Sequence, residues 1–281
     1  MRSALCALIL LSAVAFYHLS LRLVSETHYH RAENLFRNGY YGLSANHLKK
    51  AAHYQPNDYE IQKELGEVYF KLGALEAKVK DSVLLAQKSK DFYLKASRMN
   101  PLDAETAYGL ARTEARLEQL YQYLHPEKKE NPYGPLPYFK QAVSLRPNGI
   151  LYHYAMARHL YRQGETDELR AVVGALARIY PSSYNYLKRE DFWSPTIKEA
   201  CMSGLQQAIE ARISLRDAHM AISSLKAEDK EIGPAPYLIM GKRSATTRFK
   251  TIPRIISTWG ISIYKAAGLR TQKPASFMPW K

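Results

Sequence analysis

The sequence predicts an all-α protein built from pairs of short antiparallel helices, and two observations lead to this expectation. Apolar residues recur at the i, i+3, i+4 spacing of a helix, whereas alternating β-branched runs are scarce. Four prolines punctuate the pattern, each five residues after an alanine or a leucine: Pro56, Pro101, Pro147 and Pro181, at intervals of 45, 46 and 34 residues. Because proline lacks an amide hydrogen and disfavours helix in the preceding residue, each proline ends a helix pair.

The stretch LGEVYFKLG shows which side chains recur between these prolines. It places a leucine, a small residue, an aromatic residue and a glycine at Leu65, Gly66, Tyr69 and Gly73. A small residue allows two helices to approach closely, and we expect Gly73, like Gly39 and Gly164, at a turn where glycine can take a positive φ. The pattern resembles the tetratricopeptide repeat, whose period is 34 residues. The resemblance covers about residues 29–183 and implies a right-handed superhelical array of antiparallel helix pairs, a TPR-like solenoid.

The chain divides into four regions on this interpretation. Residues 1–24 are an apolar N-terminal segment, 25–183 are four TPR-like repeats, 184–232 are a further helical pair, and 233–281 are a basic tail. Two repeats exceed 34 residues. The first excess, near KVKDSVLLAQKSKDFYLKA, is close to three helical turns and predicts longer helices. The second, HPEKKENPYGPLP, is polar and rich in proline, and predicts a loop.

The N-terminal apolar run predicts a single-pass signal anchor, a transmembrane helix that ends near Val24. A run from residue 4 to residue 24 is about 21 residues long, enough to span a bilayer, with Phe16, Tyr17 and Arg22 as interface residues. A cleaved signal, with Ala13 to Ala15 as the cleavage site, and a buried helix remain alternatives. The arginines do not fix the orientation. An extracytoplasmic or periplasmic array is the expectation, because the run resembles an export signal.

The tail after residue 233 carries much of the net charge of +14, since residues 234–281 contain nine Lys or Arg and no acidic residue. Apolar residues from Phe249 to Ile263 recur every three or four positions and predict an amphipathic helix. This helix either caps the array or lies on an anionic membrane surface. The candidate membrane-surface residues are Arg248, Lys250, Arg254, Trp259 and Lys265. A nucleic-acid contact is the least favoured interpretation of the tail.

The first helices of the pairs carry the candidate binding residues. In tetratricopeptide arrays the first helix of each pair lines a concave groove that binds extended peptides, and the resemblance places fifteen side chains there. The groove changes from mixed charge in the first two repeats to arginine and tyrosine in the next two, which suits an acidic or carboxylate-bearing ligand. The groove residues are Lys63, Phe70, Lys71, Tyr108, Arg112, Arg116, Tyr154, Arg158, Tyr161 and Arg162.

No catalytic or cofactor motif occurs in the sequence. There is no phosphate-binding loop, HExxH, GxSxG or dinucleotide turn, so we expect no enzymatic activity and no cofactor. His28 and His30 are two residues apart and point to different sides of a helix, so no metal site is expected there. The acidic pair Glu190-Asp191 is interpreted as complementing a helix dipole. Cys6 and Cys201 are the only cysteines, which excludes a disulfide framework.

The sequence therefore favours a membrane-anchored scaffold that binds a protein partner in a cell-envelope assembly. Two alternatives remain: an accessory subunit that binds or exports polysaccharide, and an organelle-surface receptor for peptides. The expected partner carries an acidic or carboxylate-bearing segment, and no nucleic acid is expected. The sequence leaves the identity of the partner and the oligomeric state open.

Overall fold

The computed structural model describes the backbone of residues 2–128 and 132–231, and the side chains of residues 10–128 and 132–227. Within these ranges the chain forms eleven α-helices, one short 3-10 turn at Pro181–Ser183 and no strand. The helices are α1 (Arg2–Arg37), α2 (Tyr41–Tyr54), α3 (Tyr59–Leu75), α4 (Val79–Met99), α5 (Ala104–Leu124), α6 (Leu136–Leu145), α7 (Ile150–Gln163), α8 (Thr166–Ile179), α9 (Tyr184–Leu187), α10 (Pro195–Glu210) and α11 (Leu215–Glu231).

Helices that are consecutive in the chain pack on one another from α1 to α8. The pairs α1 with α2, α3 with α4, α5 with α6 and α7 with α8 are joined by contacts between α2 and α3, α4 and α5, and α6 and α7. After the short α9, α10 packs on α8 and α11 packs on α10. This order of contacts is that of a repeat array, in which each unit stabilises its neighbours. The structure confirms the predicted all-α, TPR-like fold.

The small residue of LGEVYFKLG makes room for an aromatic ring from the second helix of its pair. A Cβ on Gly66 would lie 2.8 Å from the ring of Tyr93, and a Cβ on Gly109, in α5, would lie 2.3 Å from the same ring. Tyr93 is 2% exposed and lies between α3 and α5. Glycine at these positions allows one tyrosine to pack against two consecutive first helices, and this contact joins one repeat to the next.

Two of the three expected turn glycines have the predicted conformation. Gly39 and Gly164 have φ values of 82° and 78°, in the left-handed region that glycine favours. The expectation for Gly73 is wrong, because this residue lies inside α3 and has no positive φ. The absence of a side chain at Gly73 allows α4 to pack closely, since a Cβ there would lie 3.3 Å from the Cβ of Leu85. The carbonyl oxygen of Gly73 also accepts a hydrogen bond from Ser82 Oγ at 2.7 Å.

Side-chain caps set the start of three helices. Asp58 and Asp103 accept hydrogen bonds from backbone amides in the first turns of α3 and α5, and Ser194 caps α10 in front of Pro195. The two longer repeats gain their extra residues in different ways. Helices α4 and α5 have 21 residues each, and in the later repeat residues 125–135 connect α5 to α6. The predicted C-terminal helix and its residues Arg248, Lys250, Arg254, Trp259 and Lys265 lie outside the described residues.

Among the residues that the structure describes, no helix combines the length and the apolar character needed to cross a membrane.

Candidate functional site

Side chains from the first helix of each pair face one another across neighbouring repeats. We call this surface the first-helix face. Helices α3 and α5 run in the same direction along it, because Lys63 pairs with Glu105 near the starts of both helices and Glu67 pairs with Arg112 further along both. The face comprises Tyr29, Glu33, Glu64, Glu67, Phe70, Lys71, Tyr108, Arg112, Arg116, Tyr154, Arg158, Tyr161 and Arg162.

Arg112 is held by an ion pair with Glu67. The ring centroids of Phe70 and Tyr108 lie 4.6 and 4.9 Å from the guanidinium carbon, so the arginine is also stacked between aromatic faces. The structure thus brings together four of the predicted groove residues, Phe70, Lys71, Tyr108 and Arg112, around Glu67. Burial by itself would lower the pKa of Arg112, but Glu67 together with Tyr93 and Tyr108 outweighs it and raises the pKa above its usual range.

Glu67 joins three helices. Its carboxylate accepts a hydrogen bond from Tyr93 Oη of α4 at 2.7 Å, pairs with Arg112 of α5, and lies 3.8 Å from Lys71 Nζ of its own helix. Burial by itself would raise the pKa of Glu67, yet the charge of Arg112 and the Tyr93 hydroxyl lower it below its usual value. Arg112 is therefore a structural cation as well as a surface group.

Arg116 lies one turn after Arg112 and has a different environment. Its guanidinium is partly buried and donates to Ser82 Oγ at 3.5 Å, and no carboxylate of the described residues lies within ion-pairing distance. Its Nε atom is buried without a hydrogen-bond acceptor. Burial lowers the pKa of Arg116, although the group keeps its charge at any physiological pH. The guanidinium thus has donors that remain to be satisfied.

The predicted residues of the fourth repeat converge on the segment after α9. Tyr154 donates a hydrogen bond to Glu190, Arg158 Nε lies 3.5 Å from the same carboxylate, and Tyr161 donates to the carbonyl oxygen of Asp191 at 3.2 Å. The interpretation of Glu190 as a helix-dipole residue is therefore wrong, because its carboxylate neutralises Arg158 on the first-helix face. Arg162 follows one turn later and is exposed.

Lys63 lies apart from the Arg112 group. Its ammonium is 2.6 Å from Glu60, 3.4 Å from Glu105 and 4.0 Å from Asp103, and its side chain is 13% exposed. This arrangement joins the starts of α3 and α5 and leaves Lys63 little free charge. That the predicted groove residues contact a partner stays a prediction.

Glu118 of α5, which was not predicted as a site residue, is 8% exposed and contacts α7. It accepts a hydrogen bond from Gln163 Nε2 at 2.9 Å and lies 3.6 Å from His159 Nδ1. Burial, followed by the charge of Arg162, lowers the pKa of His159 to about 4. The separation of Glu118 and Gln163 is 45 residues, the same interval as Glu67 to Arg112, and this repeated spacing was the available signal.

No protein-family model and no curated protein matches the chain. Among solved structures, a MamA protein is 16% identical, with a TM-score of 0.48, over 76% of this chain and 98% of that one. MamA 41-end from Desulfovibrio magneticus RS-1 is 14% identical, with a TM-score of 0.46, over 74% and 96%. YrrB, described as a TPR protein with an unusual peptide-binding site, is 19% identical, with a TM-score of 0.43, over 70% and 90%.

Proposed function

We propose that this protein is a scaffold that binds a protein partner in a cell-envelope assembly through the arginine-bearing part of its first-helix face. The observation that carries the proposal is Arg116, a partly buried guanidinium with no carboxylate among its described neighbours. Such a group pairs favourably with the carboxylate of a ligand, because much of its desolvation has already occurred on folding. The partner segment is therefore acidic.

Arg112 and Arg158 contribute to this surface indirectly. Each is paired with a carboxylate of the chain, Glu67 or Glu190, so neither has its whole charge available to a ligand. The stacked rings of Phe70 and Tyr108 beside Arg112 supply flat, rigid contact area next to Arg116. Arg162, which is exposed in the next repeat, extends the cationic surface along the array.

The double variant Arg116→Gln with Arg162→Gln is expected to lose binding of acidic peptides by at least tenfold without unfolding. The probe is a display library of random ten-residue peptides with free carboxylates, and the binding of enriched peptides is measured by fluorescence anisotropy. The matched control is Arg98→Gln with Arg178→Gln, which removes the same charge from exposed positions on α4 and α8.

Enrichment of Asp- and Glu-rich peptides that bind the wild type and the control, but not the double variant, supports the proposal. Two results contradict it: enrichment without acidic residues, or equal binding by the double variant and the control. Circular dichroism at the binding temperature shows whether the variants keep their helix content.

We further propose that the N-terminal part of α1 anchors the array to a membrane, with the repeats on the extracytoplasmic side. Between residues 10 and 24 most sides of this helix carry exposed apolar side chains, and Leu10, Phe16 and Leu23 are 69%, 71% and 66% exposed. Such a surface needs an apolar environment or a partner. We expect the full chain to resist extraction of membranes with alkaline carbonate. We also expect protease to cleave the repeats in cells whose outer envelope has been opened while the cytoplasmic membrane stays intact. Release by carbonate would contradict the anchor, and protection from protease would reverse the orientation.

A further inference from the structure

The opposite end of the first-helix face, between α1 and α3, holds a carboxylate that no described residue pairs with. Glu64 is partly buried in α3. Its acidic neighbours are paired within the chain: Glu33 with Arg37, Glu60 with Lys63, and Glu67 with Arg112. In the described part of the chain, no cation lies within ion-pairing distance of Glu64. This end of the surface is thus the electrostatic opposite of the Arg116 end.

An open cleft of about 760 Å³ lies one helical turn before Glu64, since Glu60 and Ile61 of α3 are part of its lining. It lies where α1 meets the segment between α2 and α3, and its lining includes Tyr29 and Tyr59. Two carboxylates of the lining already have a cation, since Glu26 pairs with Arg22 and Glu60 with Lys63. Tyr29 connects the cleft with Glu64, because it lines the cleft and packs on the core cluster that contains Ile61 and Leu65, on either side of Glu64 in α3. Burial first and then the charge of Glu64 raise the pKa of Tyr29 to about 12. Aromatic faces together with carboxylates suit an ammonium or guanidinium group.

A cation of the chain already occupies a similar environment. Lys63 Nζ lies 5.7 Å from the centroid of the Tyr59 ring and 2.6 Å from Glu60. The geometry beside the cleft therefore accommodates a primary ammonium, with the long side chain passing along the helix surface. Glu64 and Tyr29 offer a second place of the same chemistry, which no cation of the described residues fills by an ion pair.

We propose that the α1–α3 end of the first-helix face binds a lysine or arginine side chain of the same partner segment whose carboxylates reach Arg116. This inference rests on the proposed function and specifies its ligand: the partner segment is bipolar, with its basic residue over the first two repeats and its acidic residues over the third and fourth. The order of the two charges then fixes the direction in which the segment lies on the array.

The helix register gives the minimum spacing between the two charges. Glu67 and Arg112 are at the same level because they are in contact. Glu64 lies three residues before Glu67, and Arg116 lies four residues after Arg112. At about 1.5 Å per residue, Glu64 and Arg116 are therefore offset by roughly 10 Å along the helix axes. An extended chain rises about 3.3 Å per residue, so about three residues or more separate the basic and acidic side chains of the ligand.

The inference predicts pH-dependent binding. Burial, followed by the charge of Glu67, raises the pKa of Glu64 to about 7. The groups that face it are Tyr29 and Glu33 on α1, and Glu60, Lys63 and Glu67 on α3. A ligand cation favours the ionised carboxylate, so binding releases a proton and tightens as the pH rises from 6 to 8.

The test uses three synthetic peptides and fluorescence anisotropy with the full chain in detergent. The bipolar peptide has two lysines, a spacer of four Ser and Gly residues, and two glutamates. In the second peptide glutamines replace the lysines, and in the third the order of the blocks is reversed while the terminal labels stay in place. The variants are Glu64→Gln and, as the matched control, Glu199→Gln, at an exposed position on α10.

We expect the bipolar peptide to bind the wild type at least tenfold tighter than the lysine-free peptide at pH 8, with a smaller ratio at pH 6. Glu64→Gln should lower the affinity for the bipolar peptide at least fivefold and leave the lysine-free peptide unchanged, and Glu199→Gln should change neither. The inference is overturned if the lysine-free peptide binds as tightly, or if Glu64→Gln affects both peptides equally. If no peptide binds the wild type, the proposed function fails and the inference fails with it.

A melting experiment shows that the loss of affinity is not a loss of folding. A carboxyl group with a raised pKa in the folded state stays protonated while the unfolded chain ionises, so its contribution to stability falls as the pH rises through 7. Glutamine is neutral at every pH. We therefore expect Glu64→Gln to melt at a higher temperature than the wild type at pH 8, and by a smaller margin at pH 5.

Discussion

Replacing Gly204 with alanine is expected to lower the free energy of unfolding by about 2–4 kcal/mol. A Cβ on Gly204 of α10 would lie 2.1 Å from the carbonyl oxygen of Gly174 in α8 and 3.1 Å from the Cβ of Ala177. The obstructing atom belongs to a helix backbone, so no side-chain rotation can relieve the contact. Helix α10 must move away from α8, which loosens the core around the fully buried Leu205 and Val173.

The matched control is the same change at Gly42, in the first turn of α2. A Cβ at this position has no atom within 4 Å, and Gly42 has no positive φ. Alanine should therefore stabilise the protein by up to about 1 kcal/mol, because it favours helix more than glycine does. Urea unfolding followed by circular dichroism measures both effects. Equal stability of the Gly204 variant and the wild type would mean that α8 and α10 do not approach as closely as the structure shows.

The helix pairs were predictable because their signals are local. The prolines, the caps Asp58, Asp103 and Ser194, and the period of apolar residues all act within a few positions of the backbone that they shape. Gly73 shows the limit of such signals. A glycine suits a left-handed turn and also a close helix contact, and only the tertiary packing against Leu85 decides between the two.

The candidate site was only partly predictable, since the alignment of repeats shows which residues share a face but not which charges neutralise one another. The separation in sequence between charged residues gives one further signal. Glu67 and Arg112 are 45 residues apart, which is the interval from Pro56 to Pro101. Glu118 and Gln163 are also 45 residues apart, within one residue of the interval from Pro101 to Pro147, so nearly equivalent positions of neighbouring first helices lie side by side. Opposite charges at the repeat interval therefore predict a contact between repeats.

Other parts of the site have no local signal. Glu190 reaches Arg158 and Tyr154 from a segment that follows the last regular repeat, so no repeat interval relates it to them. The separate environments of Arg112 and Arg116, one turn apart on α5, depend on neighbouring helices: α3 supplies Glu67 to the first, and α4 supplies only a hydroxyl, from Ser82, to the second. Pairing within the fold thus decides which arginine keeps charge for a ligand.

Because Arg112 is paired within the fold, Glu67→Ala is the second change for which we expect a large effect on stability. The variant leaves Arg112 partly buried without its anion and Tyr93 Oη without its acceptor. Loss of one partner from such a pair costs more than the pair itself contributes, and we expect the free energy of unfolding to fall by about 2–3 kcal/mol. For an array of this size the melting temperature should fall by roughly 5–10 °C. Glu199→Ala, at an exposed site on α10, should change it little.

A double-mutant cycle separates the pair from its surroundings. Arg112→Met keeps an apolar side chain between Phe70 and Tyr108 and removes the charge, so the double variant Glu67→Ala with Arg112→Met leaves no unpaired cation at position 112. We expect it to be more stable than the sum of the two single changes predicts, with a coupling energy of at least about 1 kcal/mol. If the changes are simply additive, Glu67 does not neutralise Arg112. Arg112 would then have its full charge available beside Arg116, and the cationic surface offered to an acidic partner would comprise both arginines.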